Sequence, residues 1–154
     1  MNVTLFDIAS AFIGERERIG AEDNPWIRWC HSKTSGGESP DEIAWCSSAV
    51  NGCCHILNLP RSKSKAARSW LAVGRRVPTQ EARQGYDVVV LKRGPDPQPG
   101  ADVMAAQGHV GLFSRWLDGG ARVEILGGNQ GNAMSRARFN ADRILAVQRL
   151  WELL

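Results

Sequence analysis

Trp45-Cys46-Ser47-Ser48-Ala49-Val50-Asn51 places a cysteine where a helix begins. The residues three, four, seven, eight and eleven positions after Cys46 are Ala49, Val50, Cys53, Cys54 and Leu57. That is the spacing of one buried helical face, and it predicts a helix from about Trp45 to Leu57 with Cys46 at the top of that face. A cysteine in the first turn of a helix meets unpaired backbone N–H groups and the positive end of the helix dipole. Both favour the thiolate, which is the nucleophilic form. Cys53 and Cys54 lie two turns further on and read as core residues. Burial as a small hydrophobe is the competing reading for Cys46 itself. Cys30 has no evident partner.

Upstream, Leu5, Ile8, Phe12 and Ile19 fall near one face of a helix predicted from Thr4 to about Ile19, with Thr4 as its cap, Asp7 in its first turn and Gly20 as its stop. Asn24-Pro25 opens a short second helix to about Cys30, since asparagine caps and proline suits the first helical position. Residues 31–40 are loop by composition. Downstream of the cysteine, a shorter helix runs from Ser62 or Ser64 to Leu71, with Ala66, Ala67 and Trp70 inward and Lys63, Lys65 and Arg68 outward.

The period then changes. Tyr86-Asp87-Val88-Val89-Val90-Leu91 reads as a buried strand. Gly94-Pro95-Asp96-Pro97-Gln98-Pro99-Gly100 starts a long loop. His109 to Trp116 is a second strand, Asp118-Gly119-Gly120 a hairpin turn, and Arg122 to Leu126 a third strand. Ile144 to Leu150 alternates weakly and is read as a final strand rather than a helix. Helices followed by an antiparallel sheet make an α+β architecture.

Three positions carry candidate chemistry besides Cys46. His109, flanked by Gly108 and Gly111, lies beyond the long loop, where small neighbours permit close approach of a ligand. A structural histidine in a strand is the alternative reading. Asn129 follows two glycines and has the strand parity of Val123 and Ile125 if the strand runs on. It is a candidate third group that accepts a hydrogen bond from the far ring nitrogen of a histidine, with Gln130 as the neighbouring alternative. His55 sits on the same helix as Cys46, about 13 Å along its axis, and is excluded as its base. His31 stays open. Cys30-His31 and Cys53-Cys54-His55 lack the usual spacing of zinc ligands. The basic stretch Arg61-Ser62-Lys63-Ser64-Lys65, with Arg68, Arg75 and Arg76, comes without any nucleic-acid motif and reads as a solvated face.

At 154 residues, 43% hydrophobic and 23% charged, the chain is sized for one folded domain. A net charge of +3 slightly favours an anionic partner. No apolar run reaches the roughly 18 residues of a membrane span, and the N-terminus lacks a basic segment before its apolar stretch, so neither an integral membrane protein nor a secretory signal is expected.

Taken in order, Asn24-Pro25, Asp41-Glu42-Ile43-Ala44-Trp45-Cys46-Ser47-Ser48-Ala49-Val50-Asn51, Ala67-Arg68-Ser69-Trp70-Leu71, Asp87-Val88-Val89-Val90, Gly108-His109-Val110-Gly111 and Leu126-Gly127-Gly128-Asn129-Gln130 resemble small phage and prophage peptidoglycan hydrolases of the CHAP and NlpC branch of papain-like cysteine hydrolases. The similarity extends from about Ile8 to Gln148. It implies a papain-like α+β fold in which Cys46 is the nucleophile, His109 the general base and then acid, and Asn129 the orienting residue. Trp45, Glu42 and Gln130, in the same motifs, are the candidate substrate contacts. The resemblance further implies one catalytic domain over residues 1–154 with no separate wall-binding domain, acting as a monomer on the stem peptide of peptidoglycan, without nucleic acid. Synthesis in the host cytoplasm and holin-dependent release to the wall go with it. An antibacterial toxin or tail lysin would use the same chemistry. Two departures matter. Gly127 stands where many CHAP domains carry an acidic residue, and Asp41 with Glu42 do not make a calcium loop, so no metal or cofactor is expected.

Overall fold

The computed structural model describes residues 2–151. Its first helix, α1 (Leu5–Ser10), opens on a reciprocal cap in which the Thr4 hydroxyl accepts from the Asp7 N–H at 3.1 Å and the Asp7 carboxylate accepts from the Thr4 N–H at 2.8 Å. The helix expected to reach Ile19 stops nine residues short of it. Gly14 takes a left-handed turn (φ 101°), and the chain then pairs with the far sheet edge: the Gly14 N–H bonds the Met134 carbonyl at 2.9 Å and the Met134 N–H bonds the Glu15 carbonyl at 2.7 Å. Sheet pairing thus outcompetes a helical continuation, and Ile19 is fully exposed rather than inward.

Helix α2 (Pro25–Ser32) has the expected cap, the Asn24 side chain accepting from the Trp26 N–H at 2.8 Å. It extends over His31, which is helical rather than in a loop. Helix α3 (Cys46–Ile56) begins at the cysteine and is buried from Cys46 through Cys54. The stretch read as a fourth helix is a 3-10 segment, Ala67–Ala72. Its facing differs from expectation: Ala66 is exposed, and Arg68 is fully buried, not outward. Amphipathic spacing missed this because the loop after the first long strand folds over Arg68 and supplies four carbonyl acceptors.

Among the described residues six strands form one antiparallel sheet: β1 (Arg75–Val77), β2 (Asp87–Leu91), β3 (His109–Leu117), β4 (Arg122–Gln130), β5 (Ala133–Asn140) and β6 (Ile144–Arg149), in the order β1-β6-β2-β3-β4-β5. The final segment is a strand, as its alternation predicts. β1 and β5 were not anticipated; β5 is polar on one side and β1 is short. β2 is buried along its whole length, which explains the unbroken Val88-Val89-Val90-Leu91 run. Its two faces serve different clusters. Val88 and Val90 pack with the helices, together with Val110, Leu112 and Leu126; Val89 and Leu91 pack on the other side with Phe113, Ile125 and Val147.

Two further contacts position the site. Gly128 lies against the ring of Trp45, where a Cβ would stand 2.5 Å from a ring carbon, so β4 and the start of α3 meet closely only because position 128 is glycine. At the opposite end of the sheet, Arg149 grips the Asp87 carboxylate in a buried fork at 2.8 and 2.7 Å.

Candidate active site

Cys46 is the first residue of α3 and is 3% exposed. The backbones of Val110, Ser47 and Cys46 itself favour the thiolate. Burial works the other way and dominates, so the thiol is held above its ordinary range despite its place at the helix start. Cys53, buried two turns down, is pushed up to about 12 with no comparable set of donors. Cys30 and Cys54 are also buried, and all four cysteines are free thiols.

Val110, the residue after His109, packs in one buried cluster with Cys46, so β3 brings the histidine's backbone close to the cysteine. The His109 side chain opens the strand opposite Leu91 and stacks at a tilt on Phe139, with ring centroids 5.4 Å apart. Its Nε2 lies 2.9 Å from Oε1 of Gln130. The amide's orientation is set by its other end: Nε2 of Gln130 donates to the Ser135 carbonyl at 2.7 Å and the Ile125 carbonyl at 3.2 Å. Oε1 must therefore face the histidine. An amide oxygen only accepts, so the ring proton sits on Nε2 of His109 and Nδ1 keeps its lone pair. Burial lowers the His109 pKa, the Gln130 bond raises it and the charge of Arg93 lowers it again; the net direction is down. A raised thiol and a lowered imidazole leave both groups neutral near pH 7.

The hydrogen bond expected from Asn129 is thus made by Gln130. β4 does not run on regularly to position 129. A register shift separates Gly127 from Gln130, and Asn129 adopts a left-handed backbone (φ 58°), which breaks the parity that linked it to Val123 and Ile125. Asn129 instead lines a cavity of about 550 Å³ beside His109. Trp45, expected as a substrate contact, is fully buried. Its Nε1 donates to Glu17 at 2.9 Å and its ring meets Trp26 edge-on at 6.1 Å, so it is a core residue. Glu42 is exposed on the turn before α3 and lines neither that cavity nor the cleft at Cys46. His31 is buried and bonded through Nδ1 to Ser48 at 2.7 Å, and His55 packs edge-on against Trp29.

Sequence reasoning missed two arginines. Arg68, fully buried, donates to the carbonyls of Pro99, Gly100, Val103 and Gln107 at 2.7–3.0 Å and so shapes the loop that leads into His109. Arg93, just beyond β2, lines both the His109 cavity and a cleft of about 440 Å³ that contains Cys46. Nothing in its spacing marks it; only the Lys92-Arg93-Gly94 exit from the strand hints at it. Among the described residues no group of three or more His, Cys, Asp or Glu side chains is placed to hold a metal ion. The Asp41 carboxylate is committed to the N–H groups of Arg18 and Asn24 at 2.9 and 2.7 Å.

Comparison of the whole fold adds to this geometry. The structure resembles NlpC1 from Trichomonas vaginalis with a TM-score of 0.55 over 97% of this chain, at 13% sequence identity. The fold is NlpC-like. The chain spans 44% of the length of that protein, and at this identity the likeness concerns the fold alone. No family model matches the sequence. No curated protein matches it.

Proposed function

We propose that this chain is a cysteine hydrolase that cleaves an amide bond in the peptide part of bacterial peptidoglycan. The observation that carries the reading is the ring of His109, anchored through Nε2 to Gln130, on the strand whose next residue, Val110, packs in one buried cluster with Cys46 at the start of α3. In this reading Nδ1 of His109 takes the Cys46 proton as the sulfur attacks the scissile carbonyl. The Cys46 N–H, at the start of α3, helps to stabilise the oxyanion. The imidazolium returns its proton to the leaving amine and a thioester remains. Water, deprotonated by His109, then releases the acid and restores the thiol. Gln130 takes the orienting role that the motif resemblance gives to Asn129.

The biological setting we propose is a phage or prophage lysis protein, made in the host cytoplasm and reaching the wall after holin-dependent release. It rests on the ordered motifs around Cys46, His109 and Asn129-Gln130. Purified peptidoglycan tests the chemistry directly. Active protein releases soluble fragments with new amine and carboxyl ends, and protein that releases none from intact or partly digested wall is not this hydrolase.

A further inference from the structure

Arg93 is the residue common to the cleft that contains Cys46 and the cavity that contains His109. It follows β2 two positions after Leu91, which pairs directly with His109, so the strand delivers it to the junction between the two groups. Among the described residues no aspartate or glutamate lines either cavity. Of the neighbouring cations, Arg138 on β5 lines the His109 cavity alone, and the other three are engaged. Lys92 and Arg143 face Asp96 at 3.7 and 3.3 Å, and the Lys65 ammonium donates to the Ser35 and Gly37 carbonyls at 3.3 and 2.8 Å. Arg93 is exposed and, among the described residues, has no acidic partner. A guanidinium fork with no acidic partner among the described residues, open to solvent and shared by the Cys46 cleft and the His109 cavity, matches one ligand chemistry well: a carboxylate, held by two parallel N–H bonds.

We propose that Arg93 is a specificity residue that binds a free carboxylate next to the scissile amide, so that the preferred acyl donors are acidic peptides. The proposal rests on the hydrolase reading above and names its substrate class. Stem peptides bearing a free carboxylate belong to that class; the same peptides with the carboxylate converted to a carboxamide do not. Solvent screens the pair, so the preference weakens as ionic strength rises.

The test compares hydrolysis of two synthetic peptides that differ only in carboxylate against carboxamide at that position, by wild-type protein, Arg93→Gln and Arg93→Lys. The expected result is a KM for the carboxylate peptide raised on the order of tenfold in Arg93→Gln, the worth of one charge-assisted hydrogen bond. Arg93→Lys restores part of the loss, and KM for the carboxamide peptide moves little in either variant. Equal losses on both peptides, or no loss on either, would overturn the proposal while leaving the hydrolase reading in place. Failure of the wild type to cleave either peptide or peptidoglycan overturns both.

Discussion

Gln130 holds His109 by one end of its amide and the backbone by the other. Oε1 lies 2.9 Å from the ring Nε2, and the amide nitrogen is fixed on the Ser135 and Ile125 carbonyls. The consequence is a tautomer. With the proton on Nε2, the free lone pair of Nδ1 is the only ring site that can act as a base. Replacing Gln130 by Ala removes the acceptor that selects this state. The expected loss in kcat/KM is about tenfold or more, the scale of one buried hydrogen bond, with the circular dichroism spectrum unchanged and the melting temperature lowered by the loss of the donor to the Ser135 and Ile125 carbonyls. Asn129→Ala, which leaves that bond intact, should lose much less. Steady-state kinetics on the two variants separate the assignments, and a larger loss at Asn129 would return the orienting role to it.

The resting site holds a neutral thiol and a neutral imidazole, because burial raises Cys46 and lowers His109. A base with a lowered pKa is unprotonated over a wider range, so activity persists as pH falls and drops only below 6.5, the ordinary imidazole value. A thiol with a raised pKa alkylates slowly at neutral pH and faster as pH rises. A pH–rate profile of kcat/KM and iodoacetamide kinetics on the free protein check both directions. A preformed ion pair would instead give fast alkylation at neutral pH and below.

Arg68 is a buried cation whose partners are all backbone carbonyls of residues 99–107. Arg68→Ala leaves several of those carbonyls unpaired, and the expected cost is about 3 kcal/mol or more. Arg68→Lys recovers only part of it, since an ammonium cannot reproduce the planar fork. Urea denaturation measures the stability, and proteolysis within residues 99–107 reports the loosened loop.

Asp87 and Arg149 tie β2 to β6 on the far side of the sheet from the cleft. Truncating Asp87 to Ala takes the carboxylate from a buried guanidinium, which keeps its bond to the Glu81 carbonyl at 2.9 Å, and should cost about 3 kcal/mol. The same denaturation experiment measures it, and a loss below about 1 kcal/mol would show that water or a neighbour satisfies Arg149.

Local rules explain which of these features the sequence discloses. The 3.6-residue period places α3 and its cysteine, because the face from Ala49 to Cys54 is buried as a unit. The Thr4 and Asn24 caps and the valine run of β2 are equally legible, since each depends on neighbouring residues. Long-range pairing is not. The end of α1 depends on hydrogen bonds between residues 14–17 and 132–134, and the burial of Arg68 depends on a loop more than thirty residues away. The site divides in the same way. Cys46 and His109 stand out by position, whereas the choice between Asn129 and Gln130 turns on a register shift and a left-handed residue that strand alternation does not foresee.

The central claim is that Cys46 carries an amide hydrolysis, and product analysis of purified peptidoglycan treated with wild-type protein or Cys46→Ala tests it most directly. Wild-type protein is expected to release fragments whose masses show one peptide or amide bond hydrolysed. Cys46→Ala, with an unchanged melting temperature and circular dichroism spectrum, is expected to release none above the buffer control. Release of the same fragments by folded Cys46→Ala would contradict the account.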